Sequence, residues 1–309
     1  MAKLSNHGLW RCRSTAMFLS LAAAAFSQTA SVSTAPPEPA ALVRTAVDNE
    51  IKASQDDSTR FLFRSTRTTS RGSVTKIFVQ AKEATAGIVV AYDGKPLTAQ
   101  QRQDEVSRIE RFIKSPEELE KKRRQEGVDA DRTLRIIRAL PDAFLYEYDG
   151  ERMGSPGVGK PGAPLVALKF RPNPRYDPPS RIEQVLTGME GLLLLDARRG
   201  RLASIDGTLA KEVGFGWGIL GHLDRGGHVL VQQQETGDQA WSISHTSVDV
   251  TGKILLFKSL VFTMNEVFSD FKPLPKDITF AQAVEMLKKE EALFAQNSGA
   301  GKITDPSVR

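Results

Sequence analysis

Apolar and polar positions change rhythm several times along the chain, and each change marks an element. Over residues 41–54, Val43, Val47 and Ile51 recur every fourth position, which gathers them on one stripe of a helix. Asp56, Asp57 and Ser58 break that pattern, and three strand-like runs follow at 60–66, 74–80 and 87–92. Asp93-Gly94 then supplies a turn that tolerates positive φ. A polar helical stretch comes next. Thr98 with Gln101 and Ser115 with Glu118 each have capping-box spacing, and Pro116 stands at the favoured first helical position. This spacing predicts two helices in series, the second stopping near Gly127, and a third short helix carrying Leu134, Ile137 and Leu140 before Pro141.

In the second half the period shortens to two. Residues 144–148 read as a strand ended by Asp149-Gly150, 154–164 as a glycine and proline loop, and 165–170 as a further strand. Pro172, Pro174, Pro178 and Pro179 make the following segment a rigid surface loop, because proline has no N–H for a strand ladder. From 189 to 271 the pattern is that of an antiparallel meander, with turn signals at Arg199-Gly200, Asp206-Gly207, Gly226-Gly227, Gly237-Asp238 and Thr251-Gly252. Within it Val213, Phe215, Trp217 and Ile219 alternate with Gly214, Gly216 and Gly218, which places four large side chains on one face and bare backbone on the other. A final helix starts at Thr279, paired with Gln282 as a capping box, and turns Phe280, Val284, Leu287 and Phe294 inward. The fold class expected is α+β: a long curved antiparallel sheet, a half-barrel built as a meander, with helices packed on or near its concave face.

The N-terminus alters how the composition is read. Lys3, Arg11 and Arg13 precede an uncharged apolar run at 17–26 and then small residues, the order of a secretory signal peptide. That run is about half of the roughly 20 residues needed to span a bilayer, so cleavage is expected over anchoring. The organisation expected is a signal peptide over 1–30, a flexible leader over 31–40, one half-barrel-like domain over 41–296 with a helical insertion at 98–140, and a disordered tail over 297–309. The product would be exported, periplasmic or in the cell envelope, and soluble once cleaved. The formal balance of 42 basic and 37 acidic residues loses only bases on cleavage, so the basic character says little about nucleic acid. Cys12 is the single cysteine and leaves with the signal, which excludes disulfides, thiolate metal sites and a cysteine nucleophile in the remainder.

Motifs that resemble chemistry fail on context. Gly154 to Lys160 fits a phosphate-binding loop by spacing, but Pro161 replaces the hydroxyl residue, and Gly162 and Pro164 prevent the helix that would hold the phosphate. Gly216, Gly218 and Gly221 fit a dinucleotide fingerprint without the strand–turn–helix unit it needs. Lys121 to Arg124 lie among Glu117, Glu118, Glu120 and Glu126 and read as a solvated helix face. No nucleic acid, nucleotide or cofactor is expected. What remains is a set of apolar stripes: Phe61 with Phe63, Val213 with Phe215, Trp217 and Ile219, and Trp241 with Ile243. A long sheet that curls without closing can leave such a face as a concavity for an acyl chain or peptide.

The order of helix, three strands, Tyr92-Asp93-Gly94-Lys95-Pro96-Leu97, helices and long meander resembles the bacterial periplasmic half-barrel proteins typified by the outer-membrane lipoprotein carrier and the sigma-factor regulator. Phe144, the segment Phe170-Arg171-Pro172-Asn173-Pro174 and the glycine-rich run at 214–221 are similar to an uncharacterised bacterial secreted family with no assigned activity. The first resemblance implies a non-catalytic envelope protein whose partner is a lipid or lipoprotein, held on the apolar face. Two other readings stay open: a module that docks a second envelope protein through the proline loop and helical insertion, and a metal-assisted hydrolase using His222, Asp224 and His228.

Overall fold

The computed structural model describes residues 38–56, 58–215, 220–237, 240–254 and 258–300. The expected signal peptide, Trp217 and Ile219 lie outside them. Local capping sets where helices begin. The N-terminal helix α1 (Pro39–Ser54) opens with proline in its first turn, where a missing N–H costs nothing. Helix α2 (Ala99–Lys114) is closed at its start by the reciprocal Thr98–Gln101 box, and α5 (Phe280–Ala300) by the same arrangement between Thr279 and Gln282. Helix α5 thus runs a few residues beyond the end expected from the stripe.

One difference is large. The helix α3 (Pro116–Ala143) continues unbroken through Gly127 and Pro141, so the expected second and third helices are one. A mid-helix glycine costs about 1 kcal/mol. Here it is offset by Lys122–Glu126 at 2.8 Å and Gln125–Asp129 at 3.1 Å on either side, and by apolar anchors at both ends. Leu119 packs into one core of the protein, while Ile136, Ile137 and Leu140 pack into another. Pro141 sits in the last turn, and the Tyr146 hydroxyl donates to the Leu140 carbonyl there at 2.7 Å.

The strands are β1 (Arg60–Thr69), β2 (Gly72–Gln80), β3 (Thr85–Tyr92), β4 (Lys95–Pro96), β5 (Phe144–Met153), β6 (Pro164–Pro172), β7 (Met189–Asp196), β8 (Arg201–Leu209), β9 (Val213–Phe215), β10 (Gly221–Leu223), β11 (His228–Glu235), β12 (Trp241–Ile254) and β13 (Lys258–Leu274). A one-turn helix, α4 (Arg181–Gln184), and a 3-10 turn at 185–188 precede β7. All described pairings within the strands are antiparallel, in the order β4-β3-β2-β1-β13-β12-β11-β8-β7-β6-β5, with β10 paired to β12 and β9 beyond it. Among the described residues the result is a large open antiparallel sheet of 13 strands with five helices, an α+β fold as the pattern of the chain predicts. Strand β13 pairs with β1, so the last strand of the chain joins the first hairpins to the meander.

Two expected turns lie inside strands. Asp206-Gly207 is within β8 and Thr251-Gly252 within β12. In both places glycine makes room: a Cβ on Gly207 would stand 2.5 Å from Met189 Cε, and one on Gly252 would stand 2.1 Å from the His222 carbonyl oxygen. Both glycines mark close approach within a strand.

Directly opposed residues in antiparallel strands share a face, so the registers can be followed across the whole sheet. Leu193 opposes Ile205, Ile205 opposes Val231, Val231 opposes Thr246, Thr246 opposes Glu266, Glu266 opposes Arg67, and Arg67 opposes Val74. That face carries the first core, where α1 and the end of α3 cover β5 to β8 with Val43, Val47, Leu140, Leu168 and Leu193. Leu62, Ile77, Val79 and Ile88 have the opposite parity and form the second core under α5 and α2, with Ile109, Val284 and Leu287. The two cores therefore lie on opposite faces, at opposite ends of the sheet. Helix α2 also protects the β3 edge: the Val89 N–H donates to Glu105 at 3.1 Å, and Arg108 donates to the Gly87 carbonyl at 2.8 Å.

Candidate functional site, an aromatic sheet face

The face that α1 covers at β5–β8 continues across β12, β13, β1 and β2. There it carries aromatic side chains that belong to neither core. Phe63 on β1 stacks on Phe78 of β2 at 5.2 Å and on Phe271 of β13 at 5.6 Å, each at an interplanar angle of 23°. Phe268 tilts against Phe63 at 6.1 Å, and Phe61 meets Phe271 edge-on at 6.0 Å. A β-bulge explains how Phe268 and Phe271, an odd number of residues apart, reach one face. The register shifts between Leu62–Lys272 and Arg64–Ser269, and Asp270 takes a positive φ of 56° there. Phe61 is buried, while Phe63, Phe78, Phe268 and Phe271 remain half-buried.

Trp241 and Ile243 extend this surface on β12. Trp241 and Phe61 line one depression of about 270 Å³ with Ala53 and Asp56 near the end of α1. The Arg201 guanidinium lies 5.5 Å above the Trp241 ring, and the buried indole Nε1 has no hydrogen-bond partner among the described residues. Ile243 is 40% exposed. Val213 is fully enclosed in the first core and Phe215 packs against that core, so these two serve packing where the stripe pattern grouped them with the open face. Phe78, Phe268 and Phe271 were not among the stripes. Phe78 could be found by its alternation with Ile77 and Val79, but the β13 pair depends on the bulge.

Charged groups frame the aromatic patch on the same face. Glu266 is buried, accepts from Ser65 Oγ at 2.5 Å and from Arg67 Nε at 2.8 Å. Glu105 of α2 accepts from Arg108 at 2.8 and 3.0 Å. Burial opposes ionisation of Glu105, but the bonds from Arg108 and from the Val89 N–H hold its pKa below the ordinary value. Between these pairs stands Lys76, whose pKa is lowered by burial and then by the Arg108 and Arg67 charges. With Phe78 and Tyr92 these groups line a depression of about 490 Å³.

No family model matches the chain, and no curated protein matches it. Among solved structures, it is similar to a Vibrio parahaemolyticus domain described, by inference, as an outer membrane lipoprotein-sorting protein domain. The identity is 7% and the TM-score 0.28, over 80% of this chain and 99% of that one. A likeness at this level assigns neither fold nor role. Among the described residues no helix is long and apolar enough to cross a membrane.

The histidines are dispersed. His228 bonds to Asp206 at 2.8 Å and His245 to Asn265 at 2.5 Å, both on the face opposite the aromatic patch. His222 lies 3.3 Å from Asp224, and Glu212 completes that cluster in place of His228. The grouping of His222, Asp224 and His228 is thus not assembled. A further depression of about 800 Å³ lies on the other face of β5–β8 and is lined by Glu147, Asp149, Lys169 and Arg171 among others. Within it Lys169 and Asp149 pair at 2.5 Å.

Proposed function

We propose that this protein is a non-catalytic cell-envelope protein that holds an acyl chain, or an apolar segment of another protein, against the aromatic face of β1, β2, β12 and β13. One observation carries the reading: five phenylalanines, Phe61, Phe63, Phe78, Phe268 and Phe271, stack on one another over a sheet surface that belongs to neither core. Solvated aromatic surface of this extent is costly unless something covers it. The signal-like N-terminus supports an exported location, and the dispersal of the histidines favours binding over catalysis. The test is displacement of a fluorescent fatty acid from the purified protein, together with native mass spectrometry of protein taken from its own envelope. Phe63→Ala should weaken binding at least tenfold, with His228→Ala unchanged. Absence of both co-purified lipid and fatty-acid binding would overturn the reading.

A second reading has its own observation. The β12–β13 hairpin is the longest in the sheet, and Ile254, Val261 and Phe262 near its far end are exposed on both faces. Such an arm suits docking of an envelope protein through Ile254, Val261 and Phe262. Val261→Lys with Phe262→Lys should then abolish capture of that partner and leave fatty-acid binding intact; capture that survives both changes removes this reading.

A further inference from the structure

Arg67, Lys76 and Arg108 stand on or beside one sheet face, and their charges are not evenly matched. Arg67 is paired to Glu266 at 2.7 Å and Arg108 to Glu105 at 2.8 Å. Each guanidinium is therefore held by a carboxylate of its own. Lys76 has no ion pair or hydrogen bond among the described residues, and it lies between two guanidiniums that repel it. Glu105 and Glu266 attract it from beyond ion-pair distance, as the weakest contributions to its environment. The local balance of three cations and two carboxylates leaves one positive charge without a counter-ion.

The surroundings of that charge are apolar on one side only. Along β2, Lys76 shares its face with Val74 and Phe78, and strand geometry puts side chains two residues apart about 7 Å from one another. Phe78 is the outermost ring of the aromatic stack, and Val89 and Tyr92 of β3 complete the wall of the depression. A continuous path thus runs from the ammonium group onto Phe78 and then Phe63. We propose that Lys76 holds the anionic head of an amphiphile, a carboxylate or phosphate group, whose apolar chain lies along Phe78 and Phe63. This rests on the reading of the aromatic face as an apolar-chain site and adds to it the class of molecule that fits. Lys76 is exposed by surface area, so its ammonium group is open to a ligand, and a bound anion would supply the missing counter-charge through a charge-assisted bond. Arg67 and Arg108, held rigidly by their own carboxylates, act as positioning residues that keep the field positive without swinging onto the ligand.

Matched chains separate head from tail. Dodecanoate, dodecyl phosphate and dodecanol, each below its micellar or solubility limit, are titrated against protein carrying the neutral probe N-phenyl-1-naphthylamine. Both anions should displace the probe at concentrations at least fivefold below dodecanol. Lys76→Met should erase that advantage while leaving dodecanol unchanged, and Lys76→Arg should keep most of it. Lys76→Gln serves as a second neutral variant, with circular dichroism establishing that each folds. A larger effect for the phosphate than for the carboxylate would support a phospholipid-like head, and the reverse a fatty acid. Equal displacement by all three compounds would overturn this inference and leave the apolar-chain reading standing. Failure of all three compounds to displace the probe would overturn both.

Discussion

Glu50 of α1 and Arg201 of β8 form a two-point ion pair, at 2.8 and 2.9 Å, across 151 positions of sequence. Glu50 also accepts from the Leu202 N–H at 3.0 Å, and Arg201 in turn lies over Trp241. The first helix is thereby fixed to the sheet at the rim of the aromatic face.

Glu50→Ala should therefore destabilise the protein strongly. The side chains are only 8% and 14% exposed, and removal of one partner strands the other charge and one backbone donor. The expected loss is about 3 kcal/mol, read from the midpoint of urea unfolding. Glu50→Gln should recover part of it through the backbone bond. A loss below about 0.5 kcal/mol would place the pair among ordinary surface bridges.

Phe63 and Leu193 should separate binding from stability. Leu193 is fully buried in the first core, and its truncation to alanine should cost about 3 kcal/mol. Phe63 is half-buried, so Phe63→Ala should cost about 1–2 kcal/mol while having the larger effect on fatty-acid binding. Equal stability losses would mean that the aromatic patch is a third core.

Lys76→Met should raise the thermal midpoint of the ligand-free protein at pH 7. The folded-state pKa of Lys76 lies below its unfolded value of 10.5, so folding penalises the charged form. That penalty is fully present below the folded pKa and vanishes as the pH passes 10.5, where both states are neutral. The gain of the variant over the natural chain should therefore fade in alkaline solution. A gain that is the same at both ends of the range would have another origin.

Tyr146 and Tyr176 set an alkaline limit. Burial, and then the nearby Asp142 charge, raises the Tyr146 pKa far above the ordinary 10.0. Burial followed by Glu183 and Asp142 raises that of Tyr176. A raised folded pKa gives stability that is complete below pH 10 and is lost as the pH rises beyond it. Absorbance at phenolate wavelengths should show, among the four tyrosines, Tyr146 silent until unfolding and Tyr176 ionising later than an ordinary phenol. Ionisation of all four before any loss of circular dichroism would contradict this.

Gly252 and Gly207 should respond differently to alanine. The added methyl at Gly252 meets backbone of β10, which cannot yield without breaking the pair, and a cost of about 1–3 kcal/mol is expected. At Gly207 it meets the terminal methyl of Met189, which can swing aside. Hydrogen exchange should rise at β10 in Gly252→Ala and stay unchanged there in Gly207→Ala.

Much of the candidate site was half-legible. Phe61, Phe63, Trp241 and Ile243 follow from alternation, because parity along one strand is a local property. Phe271 does not, because its orientation is made by a bulge at Asp270 that exists only when β13 pairs with β1. Lys76 alternates as an ordinary polar residue would. Its isolation depends on Arg67 and Arg108, brought beside it from another strand and a helix.

The amino-acid sequence determined the α+β character and where α2 and α5 begin. The Thr98–Gln101 and Thr279–Gln282 boxes act within one turn, and strand alternation needs no partner. It misplaced the breaks at Gly127, Gly207 and Gly252, where packing at a distance outweighs local preference. Only the tertiary structure decided that the two cores lie on opposite faces, leaving the aromatic stretch between them outside both cores among the described residues. That choice is one of register between strands some two hundred residues apart, such as Arg64 with Ser269, and a slip of one residue would turn every side chain to the other face.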